Sequence, residues 1–413
     1  MDRPRVLLLM PTTTYRAEDF IEAARSVGAD VVVGTDQRQT LEKAAPASMM
    51  TLNFHDLPSA VSDIVRFARQ HPLRGVVGVE DETTLLAAEA LRALGLPHNP
   101  PASVRAARDK HAARERFHQA GLPTPAFQRF SAGEQPEALA GRIEYPCVIK
   151  PLALAASRGV IRTDDPVGFA AAWRRVVRIL EEPEAKRKGG SAGSWLLVES
   201  YIPGREFALE GLLAEGELET LALFDKPDPL EGPYFEETLY ITPSRLAPEI
   251  QEDISRVVRR AAAALGLREG PVHAEVRLNG RGVWPLELAA RSIGGLCSRA
   301  LRFGAGITLE ELILRHALGM EVGALKRESK AAGVMMIPIA RAGTLRRFDR
   351  MPAALAVPGI EQVVQSIPLG QPVVPLPEGS RYLGFIFARG EDPASVELAL
   401  REAHARLDIE IGS

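Results

Sequence analysis

The chain has 413 residues, of which 46% are hydrophobic and 25% are charged, as in an ordinary globular protein of about two to four domains. Its 50 basic and 53 acidic residues give a formal net charge of −3, which excludes a chain that wraps nucleic acid through bulk charge. With only two cysteines, Cys147 and Cys297, and no apolar run of the length of a signal peptide or a membrane helix, we expect no disulfide framework, no membrane association and a cytoplasmic location.

Short apolar runs alternate with helical patterns over residues 1–102. The predicted strands are 6–10, 31–33 and 76–79, and the predicted helices are 17–27, 59–70 and 83–94. Strands and helices in alternation are typical of a parallel, doubly wound sheet, so we expect a Rossmann-like domain here. A proline-rich step at 97–101 predicts a domain boundary.

The centre and the end of the chain mix strands with longer helices. One helix is predicted over 103–121, and further helices are predicted at 166–180, 248–265, 309–318 and 393–407. Strands are predicted at 146–151, 159–162, 195–199, 207–214, 219–224, 334–339 and 382–388. The stretch 181–194 is charged and rich in Gly and Ser, so we interpret it as a mobile loop.

The segment 272–289 predicts a β-hairpin in which two carboxylates face each other. A three-residue loop at 280–282 puts Asn279 opposite Val283, and the same register puts Glu275 opposite Glu287. Opposed carboxylates repel unless a cation lies between them, and Mg²⁺ is often held by one or two carboxylates with substrate phosphates. The pair indicates a Mg²⁺ site, and a solvated strand face is the alternative.

Basic residues near this pair are candidates for binding an anion. Arg291 follows Glu287 by four residues and precedes two glycines, so its guanidinium can reach phosphoryl or carboxylate oxygens. Lys150 ends an apolar strand, and the small residues at 155–159 after it can fold over phosphates. Lys110 lies on a charged helix. For Arg291 and Lys110 an exposed, solvated side chain is the alternative.

The candidate features follow one another along the chain in the order Lys110, the strand that ends at Lys150, a Ser/Gly loop, Glu199 with Glu206, and Glu275 with Glu287-x-x-x-Arg291. This order resembles that of the motifs of ATP-grasp ligases. The resemblance extends over about residues 1–390. Within the superfamily, the segments 235–244 and 289–291 are similar to the L-amino acid ligase (dipeptide synthetase) branch.

The resemblance implies an ATP-grasp fold of the α/β class with α+β subdomains. A Rossmann-like N-terminal domain at 1–102 would precede an ATP-grasp domain at 103–320. The latter would contain a lid-like subdomain at about 125–200 and a metal-binding subdomain at about 201–320. A C-terminal α/β extension would occupy 321–413.

The resemblance also implies ATP and Mg²⁺ as cofactors, with Mn²⁺ as an alternative to Mg²⁺. The residues expected to contact ATP are Lys110 and Lys150 at the phosphates and the adenine region, Ser157 and Gly159 in the phosphate loop, Glu199 with the backbone of Ser200 and Ile202 at adenine, Glu206 at the ribose, and Lys226 near the phosphates. The residues expected to bind metal or substrate are Glu275 and Glu287 as Mg²⁺ ligands, Arg291 at the substrate carboxylate or acyl phosphate with the Gly294 and Gly295 loop, and Glu237 and Tyr240 in the amino-acid pocket.

Three departures from the family pattern bear on these expectations. The phosphate loop is poor in glycine at 152–156, and Ala289 stands where an asparagine metal ligand is common. Neither removes the core chemistry. Tyr240 stands where a member of the branch has histidine, which leaves the substrate open.

The function implied is ATP-dependent ligation of a small-molecule carboxylate to an amine through an acyl phosphate. The oligomeric state stays open, and the resemblance makes a homodimer one possible form. One alternative is a carboxylase or formate-dependent ligase of the biotin carboxylase or purine-synthesis type. A second alternative is a non-catalytic nucleotide-binding protein on the same fold.

Overall fold

A computed structural model describes residues 3–37, 47–152, 154–323 and 325–412. The chain begins with a parallel sheet of order β3-β2-β1-β4, which confirms the predicted N-terminal sheet. Its elements are β1 (Arg5–Leu9), α1 (Ala17–Ser26), β2 (Asp30–Thr35), β3 (Met49–Thr51), α2 (Leu57–Gln70), β4 (Gly75–Gly78) and α3 (Asp81–Leu94). None of the helices described is long and apolar enough to span a lipid bilayer.

Two helices follow where we predicted one. They are α4 (Pro101–Arg108) and α5 (Lys110–Gln119). Asp109 separates them in an extended conformation, and its side chain accepts hydrogen bonds from the backbone N–H groups of His111 and Ala112 at 2.9 and 3.1 Å. The aspartate is therefore the N-cap of α5 and sets Lys110 as the first residue of the new helix.

A small antiparallel sheet of order β5-β8-β6-β7 forms the next layer, with a long helix packed on it. Its elements are β5 (Phe127–Ser131), α6 (Pro136–Ala140), β6 (Cys147–Pro151), β7 (Ile161–Thr163), α7 (Pro166–Glu181), α8 (Pro183–Gly189) and β8 (Trp195–Ser200). Phe169 and Trp173 of α7 are buried in the core between helix and sheet, as is Cys147.

The prediction of a mobile loop at 181–194 is wrong. Residues 183–189 form α8, and a short 3-10 helix occupies Gly190–Ser194. Pro183 is well suited to the first turn of a helix. The buried guanidinium of Arg158 lies 2.5 Å from Glu182 and 3.3 Å from Glu184, so a tertiary ion pair anchors a segment whose Gly and Ser content alone favours a loop.

The largest sheet among the described residues has eight strands, in the order β13-β12-β9-β10-β11-β16-β20-β18. The five strands that come first along the chain are β9 (Arg205–Ala214), β10 (Glu217–Asp225), β11 (Leu239–Thr242), β12 (Gly270–Asn279) and β13 (Gly282–Ala289), with α9 (Pro248–Leu265) between β11 and β12. A separate short pair follows, β14 (Arg302–Phe303) and β15 (Ile307–Thr308), and then α10 (Leu309–Ala317). Helix α9 packs its apolar stripe on one face of the sheet.

The rest of the chain completes this sheet and adds a small one. The elements are β16 (Ala331–Ile337), β17 (Gly343–Asp349), α11 (Met351–Leu355), β18 (Ile360–Gln365), β19 (Pro372–Val373), β20 (Gly384–Gly390), α12 (Pro393–Arg406) and β21 (Asp408–Gly412). Strand β16 pairs with β11, so the sheet runs across the boundary expected at residue 320. The domain division stays a prediction.

The hairpin of β12 and β13 contains two deviations from the predicted register that cancel. The turn has two residues rather than three, so Asn279 lies opposite Gly282 and not Val283. A β-bulge then adds one residue to β13, since Val276 lies opposite Pro285 whereas Glu275 lies opposite Glu287. Proline cannot donate to a strand ladder and is commonly found at a bulge. The facing pair of glutamates is confirmed, although the loop that we used to derive it is wrong.

The Asp109 cap offers a test of the break between α4 and α5. Replacing an N-cap aspartate with alanine removes the acceptor for two backbone N–H groups, and typically costs about 1 kcal/mol. We expect Asp109→Ala to lower the free energy of unfolding by that amount in urea denaturation. Asp109→Asn keeps the acceptor and should match the wild type. Equal stability of all three proteins would contradict the cap.

Candidate active site

One face of the large sheet is polar, and the opposite face is covered by α9. Strand alternation brings to the polar face Glu206 and Glu210 of β9, His273, Glu275 and Arg277 of β12, and Glu287 of β13. The alternate residues of β12 point into the core beneath α9, and these are Val272, Ala274 and Val276. The polar face is the candidate active site.

Lys226 lies at the centre of this face, directly after β10. Its ammonium group is 2.7 Å from a Glu206 oxygen and 3.5 Å from a Glu275 oxygen, and it also contacts Glu237. One oxygen of each glutamate lies within 4.8 Å of the others. Burial alone would lower the pKa of Lys226, but the three carboxylates raise it well above its usual value. Lys226 is therefore a charged tether for acidic groups in this structure.

The predicted amino-acid pocket residues lie beside this tether. The Tyr240 hydroxyl donates a hydrogen bond of 2.7 Å to Glu237, and the Lys226 ammonium lies 5.0 Å from the centre of the Tyr240 ring. Burial and the neighbouring carboxylates Glu275 and Glu206 raise the pKa of Glu237 to about 6, although Lys226 opposes them. Glu237 and Tyr240 thus belong to the same cluster as the expected metal ligand Glu275.

The two expected metal ligands fit a hard divalent cation. Glu275 and Glu287 face each other across β12 and β13, and their side chains remain 25% and 40% exposed. Burial would raise the pKa of Glu275, but Lys226 and His273 hold it well below its usual range, so the carboxylate is charged at neutral pH. Two accessible carboxylates are what Mg²⁺ needs from a protein when phosphates supply further ligands.

The expected phosphate lysines meet near these ligands. Lys110 is 3.9 Å from Glu287 and donates a 2.8 Å hydrogen bond to the Leu154 carbonyl in the phosphate loop. Lys150 is 2.6 Å from Glu199, whose other oxygen lies 2.5 Å from Arg114. Burial alone would raise the pKa of Glu199, but the two cations lower it to about 2.

The expected phosphate loop, residues 154–159, is held by hydrogen bonds at Leu154 and at Gly159. Ala156 and Ser157 have positive φ angles of 55° and 54°, which non-glycine residues adopt only under constraint. The N–H of Gly159 donates to the carbonyl of Pro377 at 2.9 Å. Ala153, in the middle of the glycine-poor stretch, lies outside the described residues. A cleft of about 350 Å³ is lined by Ser200 and Ile202, which are expected at adenine, together with Tyr201, Pro203 and Trp284 among other residues.

Arg291 lies where β13 leaves the sheet and turns toward the N-terminal sheet. Its guanidinium is 2.6 Å from Asp81, the first residue of α3, and donates to the Ser292 carbonyl at 2.8 Å. Burial would lower the pKa of Arg291, but Asp81 raises it above its usual value. Gly295 nearby has φ of +60°, and a Cβ there would come within 3.2 Å of the Phe385 ring, so the position requires glycine.

Three residues of the site, Arg114, Arg16 and His273, are not singled out from the sequence. Arg114 follows Lys110 by one helical turn, which could have suggested a shared face of α5. Buried Arg16 bonds Ser292 and Glu310 at 2.8 and 3.0 Å, and no local pattern connects residues so far apart. His273 lies two residues before Glu275, so strand alternation could have placed it on the same face.

The ion pairs of Glu199 predict a pH-dependent stability. Because the pKa of Glu199 falls from 4.5 to about 2 on folding, its contribution is complete above about pH 5 and is lost as the pH falls toward 2. We expect Glu199→Gln to lower the free energy of unfolding by about 3 kcal/mol at pH 7, since it leaves two buried cations unpaired.

Urea denaturation at pH 7, 5 and 3.5 measures this effect. The difference between wild type and Glu199→Gln should narrow as the pH falls. The exposed Glu252 supplies a control, because Glu252→Gln should leave stability unchanged at each pH. A difference that stays constant down to pH 3.5 would argue against the ion pairs.

Comparison with known protein families agrees with this geometry. Residues 143–300 match the model of the ATP-grasp domain, 21–98 match the ATP-grasp N-terminal domain, and 335–412 match L-amino acid ligase C-terminal domain 2. A curated relative is the alanine–anticapsin ligase of Bacillus subtilis (strain 168), 30% identical over 241 residues. That alignment covers 55% of this chain and 50% of the relative, so the chain matches about half the length of that enzyme.

Solved structures extend the similarity over the whole chain. The crystal structure of an L-amino acid ligase from Bacillus licheniformis superposes with a TM-score of 0.83 and 26% identity, and covers 100% of both chains. A biotin carboxylase from Campylobacter jejuni has a TM-score of 0.67 at 14% identity over 99% of this chain and 92% of that one, and shares the fold. The chain therefore contains the ATP-grasp domain with its N-terminal domain, and it resembles the L-amino acid ligase branch of the ATP-grasp ligases.

Proposed function

We propose that the protein joins a small-molecule carboxylate to an amine, with an amino acid as one or both substrates. ATP would activate the carboxylate as an acyl phosphate, and the products would be an amide, ADP and phosphate. The observation that carries the proposal is the arrangement of the facing carboxylates Glu275 and Glu287 beside Lys110. The similarity to L-amino acid ligases supports the amino-acid class of substrate.

The reaction requires two bond exchanges. A carboxylate oxygen of the substrate attacks the γ-phosphorus of ATP, and the bond from that phosphorus to ADP breaks. The amine nitrogen then attacks the acyl carbon, loses a proton to solvent, and displaces phosphate, which retains the carboxylate oxygen. A divalent cation bound between Glu275 and Glu287 would supply charge neutralisation at the phosphates.

The residues of the chain act mainly by position and charge, as expected for phosphoryl transfer. Lys110 is held by the Leu154 carbonyl and Lys150 by Glu199, and both would contact phosphoryl oxygens. Arg291, fixed by Asp81, would bind the carboxylate or its acyl phosphate. Glu237 would face the ammonium group of an amino acid, and Tyr240 would hold that carboxylate in place through its hydroxyl.

An isotope experiment tests this reaction. An amino acid labelled with ¹⁸O in its carboxylate is incubated with ATP, Mg²⁺ and a panel of second amino acids, and the released phosphate is analysed by mass spectrometry. One labelled oxygen per phosphate, together with a dipeptide of matching mass, is the expected result. A carboxylated or formylated product in place of the amide would overturn the proposal in favour of the carboxylase-type alternative. ATP binding without release of phosphate for any pair would favour a non-catalytic protein.

The metal ligand Glu287 provides a direct prediction. The Glu287→Ala variant lacks one of the two carboxylates at the cation. We expect it to release ADP and phosphate at least about a hundredfold more slowly than the wild type, because a group that stabilises transition-state charge is lost. Glu219→Ala, on the exposed side of β10, is the matched control and should retain wild-type turnover. Turnover of Glu287→Ala near that of the control would rule out a metal role for this residue.

A further inference from the structure

A histidine on the polar face is held between two carboxylates, and one of them is the expected metal ligand Glu275. The Nδ1 atom of His273 contacts Glu210 Oε1, and its Nε2 atom lies 3.6 Å from Glu275 Oε1. His273 is 8% exposed and Glu210 is 1% exposed. The imidazole is therefore engaged at both nitrogens inside the protein.

The strand register produces this arrangement. His273 and Glu275 are two residues apart on β12 and share a face, and Glu210 of β9 lies directly opposite His273. The ring is hydrogen-bonded to Glu210 at Nδ1 and lies within ion-pair distance of Glu275 at Nε2, so rotating it would break at least the first of these contacts. The position of the imidazole relative to Glu275 is thus set by the sheet itself.

We propose that His273 is a positioning residue that orients Glu275 for the divalent cation, and that Glu210 orients His273. The proposal rests on the assignment of Glu275 as a metal ligand in the proposed function. Both ion pairs of Glu275, with Lys226 and with His273, fall on Oε1. A carboxylate held through Oε1 in this way would direct Oε2 toward the cation.

Glu210 also connects this unit to the loop that carries Arg291. Its second oxygen, Oε2, accepts a hydrogen bond of 3.0 Å from the backbone N–H of Ile293, two residues after Arg291. One buried carboxylate therefore supports the cation side of the site through His273 and the anion side through the loop. Residues that orient metal ligands in this way typically change metal affinity 10- to 100-fold when replaced.

The competing interpretation is that His273 and Glu210 are a buried ion pair with a structural role only. Removal of one partner would then lower the stability of the fold and leave the affinity for metal unchanged. Metal affinity measured by direct binding separates the two interpretations, and it does not depend on turnover.

The experiment measures binding of Mn²⁺ to the full chain in the presence of ADP, from the electron paramagnetic resonance signal of free Mn²⁺. We expect His273→Gln to raise the Kd for Mn²⁺ about 10- to 100-fold. Binding of ADP in EDTA should be unchanged. The control is His316→Gln, because His316 also pairs with a glutamate, Glu269, at 3.3 Å, but its partner is not an expected metal ligand. It should bind Mn²⁺ as the wild type does.

A second variant decides the matter if His273→Gln does not fold. Glu210→Gln keeps an oxygen for the Ile293 N–H and removes the charge beside Nδ1, and we expect it to weaken Mn²⁺ binding by a smaller factor. Wild-type Mn²⁺ affinity in the folded variants would overturn the proposal and leave the pair a structural role. Glu275→Gln separates this failure from that of the proposed function. If Glu275→Gln also binds Mn²⁺ normally, the metal site itself is refuted.

Discussion

The ammonium group of Lys226 holds acidic side chains together on the polar face of the large sheet. Three carboxylates, those of Glu206, Glu237 and Glu275, lie around it, and in its absence their mutual repulsion and desolvation would oppose burial of this face. Arg277 adds a second positive charge, 3.0 Å from Glu206. The opposite face packs apolar residues against α9, so the charged groups of β9 and β12 are gathered on the polar face.

The same principle repeats around the site. Each cationic group that is expected to bind an anion is already held by a carboxylate from another part of the chain. Lys150 is held by Glu199, and Arg291 is held by Asp81 from the N-terminal sheet region. Such partners fix the side chains before a ligand arrives, which reduces the entropy lost on binding. The Arg291–Asp81 pair also links the end of the large sheet to the N-terminal sheet region, whereas Lys150 and Glu199 lie on neighbouring strands of the small sheet.

Sequence reasoning recovered what depends on local pattern and failed where distant contacts decide. Glu275 and Glu287 were paired correctly from an assumed three-residue turn, but only because the shorter turn and the bulge, which local patterns do not reveal, cancel each other. The loop predicted at 181–194 is helical because Arg158, more than twenty residues earlier, supplies an ion pair. The tether at Lys226 unites residues from β9, β12 and the segment before β11, and single-sequence periodicity contains no information on such meetings.

Strand β16 pairs with β11 along four residue pairs, and β20 and β18 follow it in the same sheet. Without these C-terminal strands, β11 would become an open edge with unpaired backbone groups, a form of sheet that promotes aggregation. Tyr240 lies on β11 and Glu237 lies two residues before the strand begins, so the two residues that we propose for the amino-acid pocket would lose their support at the same time. Removing or exchanging the strands β16, β18 and β20 would therefore disturb the proposed pocket at Glu237 and Tyr240 as well as the edge of the sheet. For protein engineering, the C-terminal region is an integral part of the large sheet.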